Sequence, residues 1–211
     1  MFLSFEGLDG SGKTTQVRLL EDYLRKQGTS TLRVREPGGT EISEHIRTLL
    51  LDPALDIVPF AELLLFSAAR AQLVAQKIRP ALADGTIVLA DRFFDSTLAY
   101  QGAGRGLADP TRLRGFQDQV VGGLVPDRTY YFDAPLDVLA ERRNDREPDR
   151  MEGSDDAFFE RVRAAYLTLA EAEPDRIHVL DATQPVKALH AALLADLATL
   201  ASAGTASGRS G

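Results

Sequence analysis

The chain has 211 residues, 44% hydrophobic and 26% charged, which suits one globular domain with a sizeable core. A net charge of −7 argues against a general nucleic-acid binder. The lack of any apolar run near the roughly 20 residues needed to span a bilayer argues against a membrane protein. With no cysteine, disulfides and thiolate metal sites are excluded.

The start, MFLSFEGLDG, has neither a basic segment nor a long apolar one, so no secretory signal is expected, and a cytoplasmic location is. In chain order, Phe2–Phe5 reads as a strand, followed by a Gly-rich turn and a helix over Lys13–Lys26. Thr31–Arg35 is a second strand, Glu41–Leu51 a short helix, and Phe60–Ala83 one long helix. Thr86–Ala90 is a third strand, Pro110–Val121 a helix, Thr129–Phe132 a fourth strand and Leu136–Arg143 a helix. Asp155–Glu171 is helical, Ile177–Leu180 is the fifth strand, and Val186–Leu200 is the closing helix. Strands alternating with helices imply an α/β fold with a parallel five-stranded sheet, helices on both faces and right-handed crossovers. One domain over 1–201 is expected, with a charged loop at about 144–154 and a small, polar, disordered tail over 202–211.

The strongest motif is GLDGSGKT, Gly7 to Thr14, which matches G-x-x-x-x-G-K-[ST] between a predicted strand and a predicted helix. Its glycines let successive backbone N–H groups turn toward phosphate oxygens, and the helix N-terminus adds partial positive charge. The ATP-phosphate set is Gly7, Gly10, Ser11, Gly12, Lys13, Thr14 and Thr15. Lys13 is placed on the β- and γ-phosphates and Thr14 on Mg²⁺. The motif names a nucleoside triphosphate but not the acceptor. No Asn-Lys-x-Asp run reads guanine, and the chain is short for a motor, so a small kinase is favoured.

An acceptor site belongs at the carboxyl ends of the strands. There Asp91 suits a Mg²⁺-linked acid acting through water, and Arg92 suits a fork on an acceptor phosphate. Alone, an Asp-Arg pair serves as readily as a surface ion pair. In the order and spacing of EGLDGSGKTT (6–15), REPGGT (35–40), LLFSAAR (64–70), DRFFDSTLAYQGAGRG (91–106) and Asp149–Glu152, the chain resembles the thymidylate kinases over most of its length. It is similar to the bacterial type, with arginines in the lid and Gly10 where the other type carries a phosphate-loop arginine.

The resemblance implies ATP- and Mg²⁺-dependent phosphoryl transfer to dTMP, giving dTDP for dTTP supply. It assigns Asp9 to the sugar 3′-OH, Phe66 to a stack on thymine, and Arg70, one turn later, to a thymine carbonyl. On helical pattern alone Phe66 reads as core. Thr97 and Gln101, four apart, are assigned to the base, Tyr100 to the sugar near C2′, and Glu36 and Arg47 to the acceptor and its phosphate region. Of the arginines around the lid, Arg142, Arg143, Arg146 and Arg150, the pair Arg143 and Arg146 is taken as catalytic beside Lys13 and Arg92. Such an arginine is worth about 10³–10⁵ in rate. The acceptor oxygen is already anionic, so His45, His178 and His190 have no part in the chemistry. The family is homodimeric, which implies a second copy as partner. A kinase for another nucleotide or nucleoside and a catalytically silent nucleotide-binding regulator are the rival readings.

Overall fold

The apolar runs FLSFE and IVLAD become the buried centre of a parallel sheet, because burying both of their faces requires helices on two sides. In the computed structural model, which describes residues 1–107, 109–142, 150 and 155–207, the strands are β1 (Phe2–Glu6), β2 (Thr31–Arg35), β3 (Ile87–Asp91), β4 (Arg128–Asp133) and β5 (Ile177–Asp181). Their order is β2-β3-β1-β4-β5 and every neighbouring pair is parallel. The register sets Phe5 beside Asp91 on one flank and Tyr130 on the other, so the carboxyl ends of β1, β3 and β4 share one edge.

Alternation along β1 feeds two apolar layers. Leu3 and Phe5 join Val17, Leu20, Tyr130 and Tyr166 on one face. Phe2 joins Val34, Leu73, Val88, Ala90 and Phe93 on the other. Each such fully buried side chain contributes about 1.5–3 kcal/mol relative to exposure, and truncating Leu3 to Ala costs about 2–5 kcal/mol.

The helices are α1 (Lys13–Lys26), α2 (Glu41–Leu51), α3 (Pro59–Leu73), α4 (Arg79–Ala83), α5 (Phe94–Thr97), α6 (Pro110–Val121), α7 (Leu136–Arg142), α8 (Asp156–Ala172) and α9 (Val186–Ser207). Thr40 caps α2, its side chain accepting from Ser43 N at 3.1 Å. The long helix expected over Phe60–Ala83 is α3 and α4 joined by a π-helical turn, Val74–Ile78. Pro80 lacks an N–H and its ring crowds the carbonyl one turn back, so the widened turn precedes it. A second π-helical turn, Leu98–Gly104, follows α5 in a stretch the sequence pattern left unassigned. α9 runs to Ser207, past Ser202, where the polar tail was expected to begin.

β1 and β3 stand where the strand order reverses, β2 having been laid down on the far side of β3. That switch point opens a crevice at the carboxyl edge of the sheet.

Candidate active site

The turn after β1 carries Gly7, Gly10 and Gly12, all with positive φ. At Gly7 a Cβ would lie 2.8 Å from Phe132 O and from Ser11 Oγ, so only glycine fits without displacement. Gly12, left-handed with no side-chain cap, immediately precedes α1, whose first N–H groups are therefore open to an anion. Ser11 Oγ is buried with no hydrogen-bond partner among the described residues.

A cleft of about 650 Å³ opens beside this turn. Asp9, Lys13 and Thr14 line it, whereas Gly7, Gly10, Ser11, Gly12 and Thr15 form the loop and first turn that carry them. Asp9 Oδ1 accepts from Lys13 Nζ at 2.9 Å and from Arg92 Nη2 at 3.1 Å, so one carboxylate oxygen joins the loop lysine to the arginine after β3. Burial alone would raise the Asp9 carboxyl, but the Lys13 and Arg92 cations outweigh it and hold it well below the usual carboxylate range. Thr14 Oγ1 donates to Asp91 Oδ2 at 2.8 Å, bringing the two predicted metal residues together. A hydroxyl and a carboxylate are hard oxygen donors of the kind Mg²⁺ takes.

Arg92 has φ +75°, among the described residues the one left-handed backbone that is not glycine. The carboxylate of Glu6 holds the segment that follows. Its Oε1 accepts from Phe93 N at 2.7 Å, and its Oε2 accepts from Ser96 Oγ at 2.6 Å and from Tyr166 OH at 2.8 Å. Burial and then the neighbouring Asp95 push Glu6 up to about 7, against the opposing pull of Arg92 and of the hydrogen bonds from Ser96 and Phe93. The Arg92 guanidinium lies 5.1 Å from the Tyr100 ring centroid, and burial pushes the Tyr100 hydroxyl up to about 12.

The predicted acceptor residues Glu36, Arg47, Phe66, Arg70, Thr97, Tyr100 and Gln101 all line this same cleft. They arrive from β2, α2, α3, α5 and the π-helical turn. The widened turn leaves Thr97 and Gln101 in one cleft while Arg105 N bonds back to Tyr100 O at 2.9 Å. Arg47 Nη1 donates to Pro37 O at 2.9 Å, across the cis Glu36–Pro37 peptide. Phe66 is half-buried, packed against the core.

The Arg70 guanidinium at the cleft wall is fully engaged by protein groups. It is 1% exposed, and its Nε and Nη2 reach Glu36 Oε2 at 2.7 Å. Its Nη1 donates to Thr97 Oγ1 at 2.8 Å and Gln117 Oε1 at 2.6 Å, and its Nη2 to Phe93 O at 3.2 Å. Direct donation to a base would require one of these bonds to be given up, because the guanidinium has no N–H left over. Burial raises the Glu36 carboxyl more than Arg70 lowers it.

Arg143 and Arg146, the predicted catalytic pair, lie outside the described residues, as does the loop at 144–149 and 151–154. Arg142 donates to Ala182 O at 2.7 Å, and Arg150 donates to Leu50 O at 2.8 Å and Glu62 Oε2 at 2.7 Å. The three histidines do not line the cleft. Sequence reasoning missed Glu6, Ser96 and Glu62, and the cleft-lining Arg18, Arg33 and Arg35. The available signal for Glu6 and Glu62 was an acid inside an apolar strand, FLSFE, and inside an apolar helix run, FAELLLF.

The family model described as thymidylate kinase matches residues 5–193. The chain belongs to the thymidylate kinase family. It is similar to the thymidylate kinase of Chlorobium chlorochromatii (strain CaD3), 48% identical over 94% of this chain and 95% of that one. The thymidylate kinase of Bifidobacterium longum (strain NCC 2705) is also 48% identical, over 95% of this chain and 98% of its own. The crystal structure of thymidylate kinase from Ehrlichia chaffeensis superposes with a TM-score of 0.76 at 35% identity, covering 93% of this chain and 97% of that chain. This kinase therefore carries the family's phosphate-loop fold, and its activity is the phosphorylation of dTMP to dTDP with ATP as donor.

Proposed function

We propose that transfer occurs at the Asp9 junction, with ATP phosphates on the loop side and the dTMP phosphate on Arg92. The single observation that supports this is the shared Asp9 oxygen, which joins Lys13 of the loop to Arg92 of the acceptor side. Thr14 and Asp91 would hold Mg²⁺, which supplies positive charge to the donor phosphates. Lys13 neutralises charge on the transferring group, and Arg92 aligns the anionic acceptor oxygen, so positioning replaces a general base. Asp9 has a second oxygen for the sugar 3′-OH. Thymine stacks on Phe66 with Thr97 and Gln101 at its polar edge, Arg70 acts through Thr97, Tyr100 crowds C2′, and Glu36 and Arg47 support the acceptor phosphate side. Arg143 and Arg146, in or beside a lid at about 144–154, supply positive charge to the transferring group, with the lid excluding water.

A structure with dTMP, Mg²⁺ and an unreactive ATP analogue tests this placement. The dTMP phosphate should sit within hydrogen-bond reach of Arg92 and the ring should lie on Phe66. A nucleotide seated elsewhere refutes it.

We further propose that the working unit is a homodimer in the cytoplasm, supplying dTTP synthesis. The support is an apolar outer face on α2 and α3. Phe60 is 61% and Leu64 44% exposed one helical turn apart, with Val58, Ile42 and Leu49 also exposed. Light scattering should give twice the chain mass, and F60E with L64E should give a monomer. A wild-type monomer at micromolar concentration ends this reading.

A further inference from the structure

Glu62 lies in α3, fully buried, inside an otherwise apolar stretch. A carboxylate there is costly unless donors meet its oxygens. Gln101 Nε2 donates to Oε1 at 2.9 Å and Arg150 Nη2 donates to Oε2 at 2.7 Å. Arg105 approaches the same group through Nε at 3.4 Å and Nη2 at 3.5 Å. Of these residues only Gln101 lines the cleft.

The chemistry of these bonds fixes which end of the Gln101 amide faces the cleft. A carboxylate held by two guanidinium groups offers only lone pairs, so the amide must turn its NH₂ toward Glu62. Its carbonyl oxygen is then directed away, and no described residue donates to it. Thr97 has the opposite polarity. Its Oγ1 accepts from Arg70 Nη1, which leaves the hydroxyl proton to donate. The two neighbours thus offer one acceptor and one donor, each set by a buried charge behind it.

We infer that Glu62 is a positioning residue for base selection: it locks Gln101 with its carbonyl toward the cleft, so that the site accepts a pyrimidine bearing N3–H beside a C4 carbonyl and rejects one with the reverse polarity. The inference rests on the proposed placement of the base beside Thr97 and Gln101. Thymine and uracil match the pair. Cytosine sets an unprotonated N3 against the Gln101 carbonyl and an amino group against the Thr97 side, so a lone pair meets a lone pair.

The test compares kcat/KM for dTMP and dCMP in wild type, E62Q and E62D. An amide at position 62 can offer either a carbonyl or an NH₂, so E62Q releases the Gln101 amide, whereas E62D keeps an acceptor-only group. The dTMP-over-dCMP ratio should fall about tenfold or more in E62Q, chiefly through KM, and should recover at least in part in E62D. Equal loss for both substrates in E62Q, with the ratio unchanged, makes Glu62 a merely structural residue and overturns the inference. An equal fall of the ratio in both variants also overturns it, because polarity is then not the cause. A wild type that turns over dTMP yet shows no preference against dCMP refutes the base placement itself, which separates the two failures. Should E62Q not fold, the Gln101 side-chain amide in isotope-labelled wild type carries the test. Protection of its protons from solvent exchange, kept when dTMP binds, supports the inference; exchange as fast as an open side-chain amide, or protection lost with dTMP, overturns it.

Discussion

On the loop side of Asp9 the cleft is built from main chain: a turn of positive-φ glycines and the uncapped start of α1, contributed by one continuous stretch. On the far side it is built from side chains drawn from β2, α2, α3, α5 and the π-helical turn, and held from behind by buried charge. The difference follows from what each half recognises. Phosphate is the same in every nucleotide, and backbone N–H groups suffice for it. A base and its sugar need a particular set of donors, acceptors and shapes, which only side chains supply. Buried charges such as Glu36–Arg70 and Glu62 hold that set in place at a desolvation cost the loop side avoids.

The largest expected effect comes from breaking the loop side alone. K13A should lower kcat by at least about a thousandfold, since Lys13 is the cation proposed for the transferring phosphate. Binding of dTMP should survive, because most of the acceptor side does not touch that charge. Loss of the Asp9 partner should loosen dTMP somewhat through Arg92. Single-turnover kinetics with a dTMP titration by calorimetry check both parts. Unchanged turnover, or loss of dTMP binding as complete as the loss of rate, would merge the two halves into one.

That asymmetry also decides what could be read from the sequence. The loop was legible because its glycines and Lys13 fall within one short stretch, Gly7 to Thr14, and a local motif carries the whole geometry. The parallel sheet was legible too, because its central strands, buried on both faces, read as apolar runs, FLSFE and IVLAD, and strands alternate with helices along the chain. Phe66 and Gln101 were legible only through resemblance, since a half-buried phenylalanine and a helical glutamine look like ordinary packing. Their supports, Glu62 and Glu6, were legible only as acids inside apolar runs, and their partners were not legible at all. Glu62 reaches Gln101 across 39 positions, and Glu6 reaches Phe93 N across 87, so no spacing rule could link them. The π-helical turns escaped for another reason: they keep helical periodicity locally and differ only in hydrogen-bond register.

The second test lies at the seam between the halves. Glu6 is fully buried beneath Arg92, with its carboxyl raised to about 7. A carboxyl raised above its unfolded value of 4.5 stabilises the fold fully below that value and loses the contribution as pH rises through about 7. Between pH 5 and 8, most of a term on the order of 3 kcal/mol should disappear from wild type. E6Q cannot take up that proton, so whatever its absolute cost, it should lose less stability than wild type over this interval. Denaturant unfolding at several pH values reads the difference. Parallel stability curves for the two proteins would mean Glu6 does not titrate there, and that its four donors keep it ionised throughout.

The smallest effect, and the one confined to the far side, concerns Phe66. Stacking of an aromatic ring on a base is worth about 1–3 kcal/mol, so F66A should weaken dTMP roughly tenfold to a hundredfold. Phe66 also packs against the core, so the alanine variant loses stability as well as stacking. F66L separates the two. Leucine keeps most of the packed volume but has no π-face, so its melting temperature should stay close to wild type while dTMP binding still falls. Affinity for ATP should not change in either variant, because the loop side recognises phosphate through main chain that Phe66 does not touch. If F66L binds dTMP like wild type and only F66A fails, Phe66 is a wall of the core and not a surface for the base. If ATP and dTMP weaken together, the cleft responds as a unit, and the division between a main-chain half and a side-chain half describes its construction but not its energetics.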